Sequence, residues 1–166
     1  MALHEQCVGA TDEWYTPPEV FDALGCRFDL DVASPTHRRL PWIPAVERLT
    51  HRSLEQPWFG FVWMNPPFGG RNALGPWLDK FITHRNGIAL VPDRTSAPWW
   101  QDSAPRMDAV LFVRRKIKFI DTHGNRGGSP AQGTSLMALG TKGVAALENA
   151  CAADFGSLFV PSGMQK

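Results

Sequence analysis

Residues 59–68 read FGFVWMNPPF, and this stretch decides how the rest of the chain is interpreted. Its first six residues form an apolar run, which predicts a buried strand, and its last four are Asn65, Pro66, Pro67 and Phe68. A strand that ends in an acceptor side chain, two prolines and an aromatic ring can hold a planar amine by its edge and its face at once. The stretch therefore predicts a site for such an amine at the end of a strand.

The chemistry of an aromatic amine explains each of these residue types. The nitrogen lone pair is delocalised into the ring, as at N6 of adenine, so the nitrogen is a poor nucleophile until acceptors draw it toward a tetrahedral geometry. The Asn65 side-chain oxygen and the Pro66 carbonyl oxygen can each accept one N–H and stabilise the positive charge that develops on nitrogen. Pro66 and Pro67 fix the carbonyl direction, and Phe68 offers a ring for stacking. The motif predicts methyl transfer to an exocyclic amine, with the proton leaving afterwards because an amide is not a base.

A Pro-Pro turn that merely ends a strand, with Phe68 in the core, is the competing interpretation of this motif. Such turns are common. The acceptor before the prolines, the aromatic ring after them and the apolar strand upstream together favour the catalytic interpretation.

Further motifs follow one another in a fixed order along the chain. They are DEWYTP at residues 12–17, FDLDVAS at 28–34, the stretch 58–68, ALVPDRT at 89–95, VLFV at 110–113 and KIKF at 116–119. With this order and spacing over residues 12 to 140, the chain resembles the small Dam-like DNA N6-adenine methyltransferases of bacteriophages and prophages.

The resemblance implies a fold, a cofactor and a substrate. It implies an α/β, Rossmann-like methyltransferase fold with a single mixed, mostly parallel sheet flanked by helices, and S-adenosylmethionine (SAM) as the cofactor. The substrate would be adenine in DNA, on a base flipped out of the stack. The residues expected to bind SAM are Trp14, Tyr15, Thr16, Pro17, Asp31, Ala33, Ser34, Ser53 and Asn65.

Asp31 is the main candidate for binding the charged end of SAM. Residues 27–33 predict an apolar strand, and Asp31, Ala33 and Ser34 lie where such a strand meets its ligand loop. A carboxylate there can pair with the ammonium group of SAM, and the family motif has an Asp at this position. Asp29, on the same side of the strand, is a competing candidate, and a turn-capping role for Asp31 is the other alternative. No Gly-x-Gly loop follows the strand.

Residues 35–57 contain four prolines and predict an irregular connection. Family members tend to have an Asp where this chain has Ser53, and that Asp is expected to contact the adenine of SAM. A serine can still donate a hydrogen bond to a ring nitrogen or accept one from an amine.

The segment around residue 16 predicts the first helix. Thr16 occupies the expected cap position, Pro17 the first helical position and Glu19 the third position after the cap, and Gly25 ends the helix. This segment is either only a capped helix start or, as the resemblance implies, part of the SAM pocket. The remaining pattern predicts helices at 76–85, ended by Gly87, and at 144–151, and strands at 88–91, 110–113, 135–139 and 157–160.

Basic residues in three places are candidates for binding DNA phosphates. Arg94 either clamps a phosphate or caps a helix. The one dense basic run contains Arg114, Arg115, Lys116 and Lys118, and it either contacts phosphate or protects an edge strand from aggregation. Arg126 lies in a glycine-rich loop, residues 121–134, that predicts a flexible segment facing DNA.

Composition restricts the remaining possibilities. The 166 residues predict one domain, residues 1–166, with a flexible or loosely packed N-terminus at 1–11. A net charge of +1 favours a local DNA-binding patch over a uniformly basic surface. Three scattered cysteines and no ligand-spaced cluster predict no metal site and a reducing, cytoplasmic location in a bacterial or phage-infected cell. Because the sequence has no long apolar run, we expect the protein to have no membrane-spanning segment and no signal peptide.

Two functional alternatives and the oligomeric state stay open at this point. The motif also suits methylation of a planar amine in RNA or protein. The alternative from a different class is a non-catalytic DNA-binding or decoy protein of the same fold that has lost SAM binding. Ser53 and the missing glycine loop are the features that favour this alternative.

Overall fold

The computed structural model describes residues 13–69 and 73–162. The prediction of a flexible or loosely packed N-terminus at residues 1–11 lies outside the described residues. In chain order, the described part forms α1 (Pro18–Leu24), β1 (Phe28–Asp31), β2 (Ala45–Arg48), β3 (Val62–Met64), α2 (Gly75–His84), β4 (Gly87–Pro92), α3 (Pro98–Ser103), a 3-10 turn (Ala104–Arg106), β5 (Ala109–Val113), β6 (Thr134–Leu139), α4 (Thr141–Ala152) and β7 (Gly156–Phe159).

The strands within the described residues form one mixed sheet of seven, in the order β2-β1-β3-β4-β6-β5-β7. The pairs β1·β2, β1·β3 and β3·β4 are parallel, whereas β4·β6, β5·β6 and β5·β7 are antiparallel. Five of the seven strands, β1 to β5, therefore run in one direction. The predicted α/β class and mixed sheet are confirmed, but parallel pairing is confined to one half of the sheet.

The order of the first three strands places a topological switch point between β1 and β3. The chain passes from β1 outward to β2 and then returns to the other side of β1 with β3. Such a reversal of strand order separates the connections that leave the two central strands, and ligands of open α/β sheets bind in the gap. In this protein, β1 ends at Asp31 and β3 ends at Met64, directly before Asn65.

Two apolar layers enclose the sheet. One layer joins α1 and α4 to strand residues such as Phe28 and Trp63, and the other joins α2 and α3 to residues such as Val62 and Met64. Successive residues of β4 alternate between the layers, and every residue of β4 and β6 is buried because helices cover both faces. The central strands therefore hold the site residues on a rigid base.

The glycine that ends α1 has the predicted role, but the one expected after α2 does not. Gly25 adopts φ 62° and its N–H binds the Phe21 carbonyl oxygen. α2 instead ends at Arg85, with φ 61°, and Gly87 begins β4. A Cβ atom at Gly87 would lie 2.5 Å from the Val62 carbonyl oxygen, so close strand packing explains this glycine.

Two other sequence predictions need correction. Residues 35–57 are not uniformly irregular, because β2 lies within them and pairs with β1. Thr16 does not cap α1, since Pro17 occupies the cap position without a side-chain hydrogen bond and Pro18 begins the helix.

Candidate active site at the carboxyl edge of the sheet

Asn65 lies just beyond β3 with its side-chain nitrogen turned toward the N-terminal segment. Its Nδ2 donates to Thr16 Oγ1 at 3.0 Å and faces the Trp14 carbonyl oxygen at 3.5 Å. A carbonyl oxygen only accepts, so this contact identifies the nitrogen end of the amide. Both amide hydrogens are thereby directed into the protein, and among residues 13–69 and 73–162 Oδ1 accepts no hydrogen bond.

The segment that holds Asn65 is itself held on two sides. Tyr15 forms an antiparallel bridge with Ile120, with N···O distances of 2.8 and 2.9 Å, and Trp42 Nε1 donates to the Thr16 carbonyl oxygen at 2.9 Å. Thr16 is 1% exposed. The N-terminal segment, predicted to line a SAM pocket, is thus brought to the Asn65–Phe68 motif.

The remaining motif residues are two prolines, which restrict the backbone, and the aromatic residue Phe68. Pro66 is buried and Pro67 is exposed. The half-buried Phe68 packs against both apolar layers, and the Phe119 ring meets it edge-on, with centroids 6.5 Å apart and planes at 88°. A ring held by its neighbour's edge keeps a defined orientation, which suits it for stacking against a planar ligand.

Phe119 and its surroundings were not predicted as part of the site. The bridge from Ile120 to Tyr15 brings residues 119–120 beside the motif, and Gly127 lies against the Trp14 ring, where a Cβ atom would be 3.0 Å from Cζ3. The apolar residues Ile117 and Phe119, which alternate with lysines in the basic run, were the signal for a buried face there.

Asp31 is a buried carboxylate at the end of β1. It is 4% exposed, and its Oδ1 accepts the Ala33 N–H at 3.2 Å. Desolvation raises the pKa of Asp31 from 3.8 to about 6, against smaller lowering effects from hydrogen bonds with Ala33 and Ser34 and from the charge of Arg48. Arg48 donates at 2.9 Å to the Arg38 carbonyl oxygen, so its hydrogen bonding is directed to the backbone.

Asp29 has a different environment from Asp31, although the two were expected to share one side of a strand. The Phe61 carbonyl oxygen accepts from both Asp29 N–H and Leu30 N–H, at 2.8 and 3.5 Å, which is the two-against-one pattern of a β-bulge. The Asp29 carboxylate is exposed and accepts the Phe61 N–H at 2.7 Å. Asp29 therefore joins β1 to the start of β3, and of these two carboxylates Asp31 is the buried one.

Ser53 is buried, but its hydrogen bonds lead away from the motif. Its carbonyl oxygen accepts from Trp58 Nε1 at 2.9 Å and from Lys80 Nζ at 3.3 Å. These contacts attach the loop before β3 to α2. The hydrogen bonds within the described residues do not join Ser53 to Asn65 or Asp31.

Several predicted phosphate-binding residues have partners within the protein. Arg94 donates to Gln132 at 3.0 Å, and Lys116 donates to the Ala131 carbonyl oxygen at 2.8 Å. Arg114 pairs with Asp154 at 2.9 Å.

Arg126 forms a two-pronged ion pair with Glu19, with one N···O distance of 2.9 Å, and this hydrogen bond lowers the pKa of Glu19. Arg115 and Lys118 are exposed. Residues 114–119 follow β5 rather than extending it, and β7 borders β5, so the edge-strand interpretation of the basic run is wrong.

Within residues 13–69 and 73–162, no group of three or more His, Cys, Asp or Glu side chains is placed to hold a metal ion. The helices in the same ranges are all too short or too polar to span a bilayer.

The fold and the site define an α/β protein with a mixed sheet, in which Asp31 ends β1 and an amide, two prolines and an aromatic ring follow β3. The chain belongs to the DNA N-6-adenine-methyltransferase (Dam) family, whose model matches residues 5–143. That range includes the motif, the N-terminal segment that binds it and Asp31. Neither a curated protein nor a solved structure matches the chain.

Proposed function

We propose that this protein uses SAM to methylate the exocyclic N6 amine of adenine in DNA. The observation that carries the proposal is the orientation of Asn65, whose Nδ2 binds Thr16 at 3.0 Å while Oδ1 accepts no hydrogen bond within the described residues. Membership of the Dam family gives the substrate class, DNA adenine. The mixed α/β sheet, with its switch point between β1 and β3, supports a Rossmann-like arrangement for the cofactor.

The proposed chemistry assigns acceptors to both hydrogens of the amine. Asn65 Oδ1 and the Pro66 carbonyl oxygen each accept one N–H, which favours the tetrahedral geometry in which the nitrogen lone pair points at the methyl carbon. When bound, SAM would supply the methyl carbon as an electrophile, with a neutral thioether as the leaving group. The acceptors bind more strongly as positive charge develops on nitrogen, so they stabilise the transition state more than the ground state. The amine proton then leaves to water.

Asp31 fits the charged end of SAM. Its carboxylate is 4% exposed, and the salt bridges among the described residues do not include it. A desolvated carboxylate without an ion-pair partner gains most from a ligand ammonium group. The residues that would hold SAM are Asp31, the Ala33 and Ser34 loop, Trp14, Tyr15, Pro17 and Ser53, whereas the Thr16 hydroxyl is engaged by Asn65.

The aromatic side of the motif suits a base that has left the DNA stack. Extrusion costs a few kcal/mol, and stacking against an aromatic side chain offsets about 1–3 kcal/mol per base. Phe119 meets Phe68 edge-on and holds its ring plane, so Phe68 is the proposed stacking platform.

Phosphate binding is proposed first for the exposed residues Arg115 and Lys118, whose charges are directed to solvent. Arg94, Arg114, Lys116 and Arg126 have intramolecular partners, so contact with phosphate would require them to exchange or share those partners. The described surface thus favours a local patch near residues 115–118.

The experiment that tests the proposal supplies methyl-labelled SAM with DNA, RNA and protein substrates and identifies the modified atom by mass spectrometry. We expect label on adenine N6 in DNA, and its loss with Asn65→Ala. Label on an amine in RNA or protein would reassign the substrate. The absence of both transfer and SAM binding by calorimetry would instead support a non-catalytic DNA-binding protein.

A further inference from the structure

We infer that Thr16 is a positioning residue for methyl transfer, which acts by holding the Asn65 amide in its reactive orientation. This inference rests on the proposed function of Asn65. The resemblance places Thr16 in the cofactor pocket and the helix pattern makes it a cap, but its hydroxyl instead accepts from Asn65 Nδ2 at 3.0 Å.

The environment of Thr16 makes this hydrogen bond difficult to replace. The residue is 1% exposed, so water does not readily substitute for its hydroxyl. Its backbone is held by Trp42 Nε1, which donates to the carbonyl oxygen at 2.9 Å, and by the adjacent bridge between Tyr15 and Ile120. A β-branched side chain on a fixed backbone has few rotamers, so Oγ1 occupies a defined position.

The orientation of the amide determines whether Asn65 can function in the proposed reaction. Rotation by half a turn about the last side-chain bond would exchange Oδ1 and Nδ2 and present N–H groups to the N–H groups of the substrate amine. The Trp14 carbonyl oxygen, 3.5 Å from Nδ2, selects the nitrogen end, and the Thr16 hydroxyl fixes the rotation of the amide plane. Thr16 and Trp14 together aim Oδ1 at the position of the amine.

A mutational comparison isolates this role from cofactor binding. Thr16→Val keeps the shape and removes the hydroxyl, whereas Thr16→Ser keeps the hydroxyl. Thr134→Val is the matched control, because Thr134 begins β6 instead of belonging to the preceding loop, is also buried, at 3% exposure, and its Oγ1 has no hydrogen-bond partner within the described residues. Thermal unfolding establishes that each variant is folded, and Thr16→Ala replaces the valine variant if that one does not fold.

The expected result is a fall in kcat that Thr16→Ser avoids. We expect Thr16→Val to lower kcat about tenfold, the effect of one lost hydrogen bond to a reacting group, with KM for DNA and Kd for SAM near wild type. Thr16→Ser and Thr134→Val should retain most of kcat. In an Asn65→Ala background, Thr16→Val should have no further effect on the single-turnover rate, because its target is gone.

Two outcomes overturn the inference. One is a weaker Kd for SAM with unchanged kcat at saturation, which would make Thr16 a cofactor contact. The other is an equal loss of rate with and without Asn65, which would make its effect independent of the amide. A normal kcat for Thr16→Val beside an inactive Asn65→Ala variant refutes only the role of Thr16, whereas full activity of Asn65→Ala refutes the proposed function itself.

Discussion

Replacing Asp31 with asparagine should change two measurable quantities, the pH dependence of the free energy of unfolding and the affinity for SAM. The native carboxylate is 4% exposed, and burial raises its pKa from 3.8 to about 6. Asparagine has a similar shape but does not ionise. We therefore expect Asp31→Asn to remove both the cost of ionising this buried group and its attraction for a ligand ammonium.

The size of the folding effect follows from the pKa shift. A shift from 3.8 to about 6 corresponds to about 3 kcal/mol at 1.36 kcal/mol per unit. Because the folded pKa is the higher one, ionisation of Asp31 disfavours the folded state. This cost is absent below pH 3.8, grows between pH 3.8 and about 6, and is complete above that range.

Urea unfolding at a series of pH values measures this cost. The free energy of unfolding of Asp31→Asn minus that of the wild type should become more positive by up to about 3 kcal/mol as the pH rises from 4 to 7. A difference that does not change with pH would refute the raised pKa of Asp31.

Calorimetry with SAM completes the test. SAM binding to the wild type should strengthen as the pH rises toward about 6, since Asp31 must lose its proton to pair with the ammonium group. Asp31→Asn should bind more weakly by about 1.5–3 kcal/mol and lose this pH dependence. Asp29→Asn is the control, because Asp29 is exposed and its carboxylate binds the Phe61 N–H, so SAM affinity should stay near wild type. Equal losses at both positions, or a reversed order, would contradict the assignment.

Three further predictions concern DNA binding, base stacking and stability. Replacing Arg115 and Lys118 with alanine should weaken DNA binding for all sequences and flatten the dependence of log K on log salt by about 0.9 per lost phosphate contact; an unchanged slope in anisotropy titrations would exclude phosphate contact. Phe68→Ala should weaken capture of the flipped adenine by roughly 1–3 kcal/mol while Phe68→Tyr retains activity, and an unchanged KM for DNA in the alanine variant would argue against stacking. Thr134→Val should raise the free energy of unfolding by up to about 3 kcal/mol, because it removes a buried hydroxyl without a partner in the described structure; destabilisation in urea would show that this hydroxyl is bound.

Local sequence patterns predicted most of the central sheet. β4 and β6 are short apolar runs bounded by glycine, proline or polar residues, and helices cover both of their faces, so apolar character alone identifies them. β2 was missed for the opposite reason. It is four residues long, Val46 and Glu47 in its middle are exposed, and prolines lie close before it, so its strand conformation depends on parallel pairing with β1 rather than on a local apolar pattern.

The Asn65–Phe68 motif and the strand before it were visible in the sequence, whereas the contacts around them were not. The local cap rule assigned the Thr16 hydroxyl to α1, but a tertiary hydrogen bond to Asn65, 49 residues away, takes it instead. The ion pair between Glu19 and Arg126 joins residues 107 positions apart, a pairing that no periodicity encodes. In both cases a long-range contact determined the role of a residue whose type alone was compatible with several roles.

The most direct test of the central claim is the single-turnover rate of methyl transfer to adenine N6 in DNA, compared between wild type and Asn65→Ala. The claim is that Asn65 Oδ1 accepts from the amine as charge develops, with Nδ2 held by Thr16 at 3.0 Å. We predict a rate at least about a hundredfold lower for the variant, with DNA affinity near wild type. Methylation by Asn65→Ala at the wild-type rate would contradict the claim and leave the motif as a turn that only ends β3.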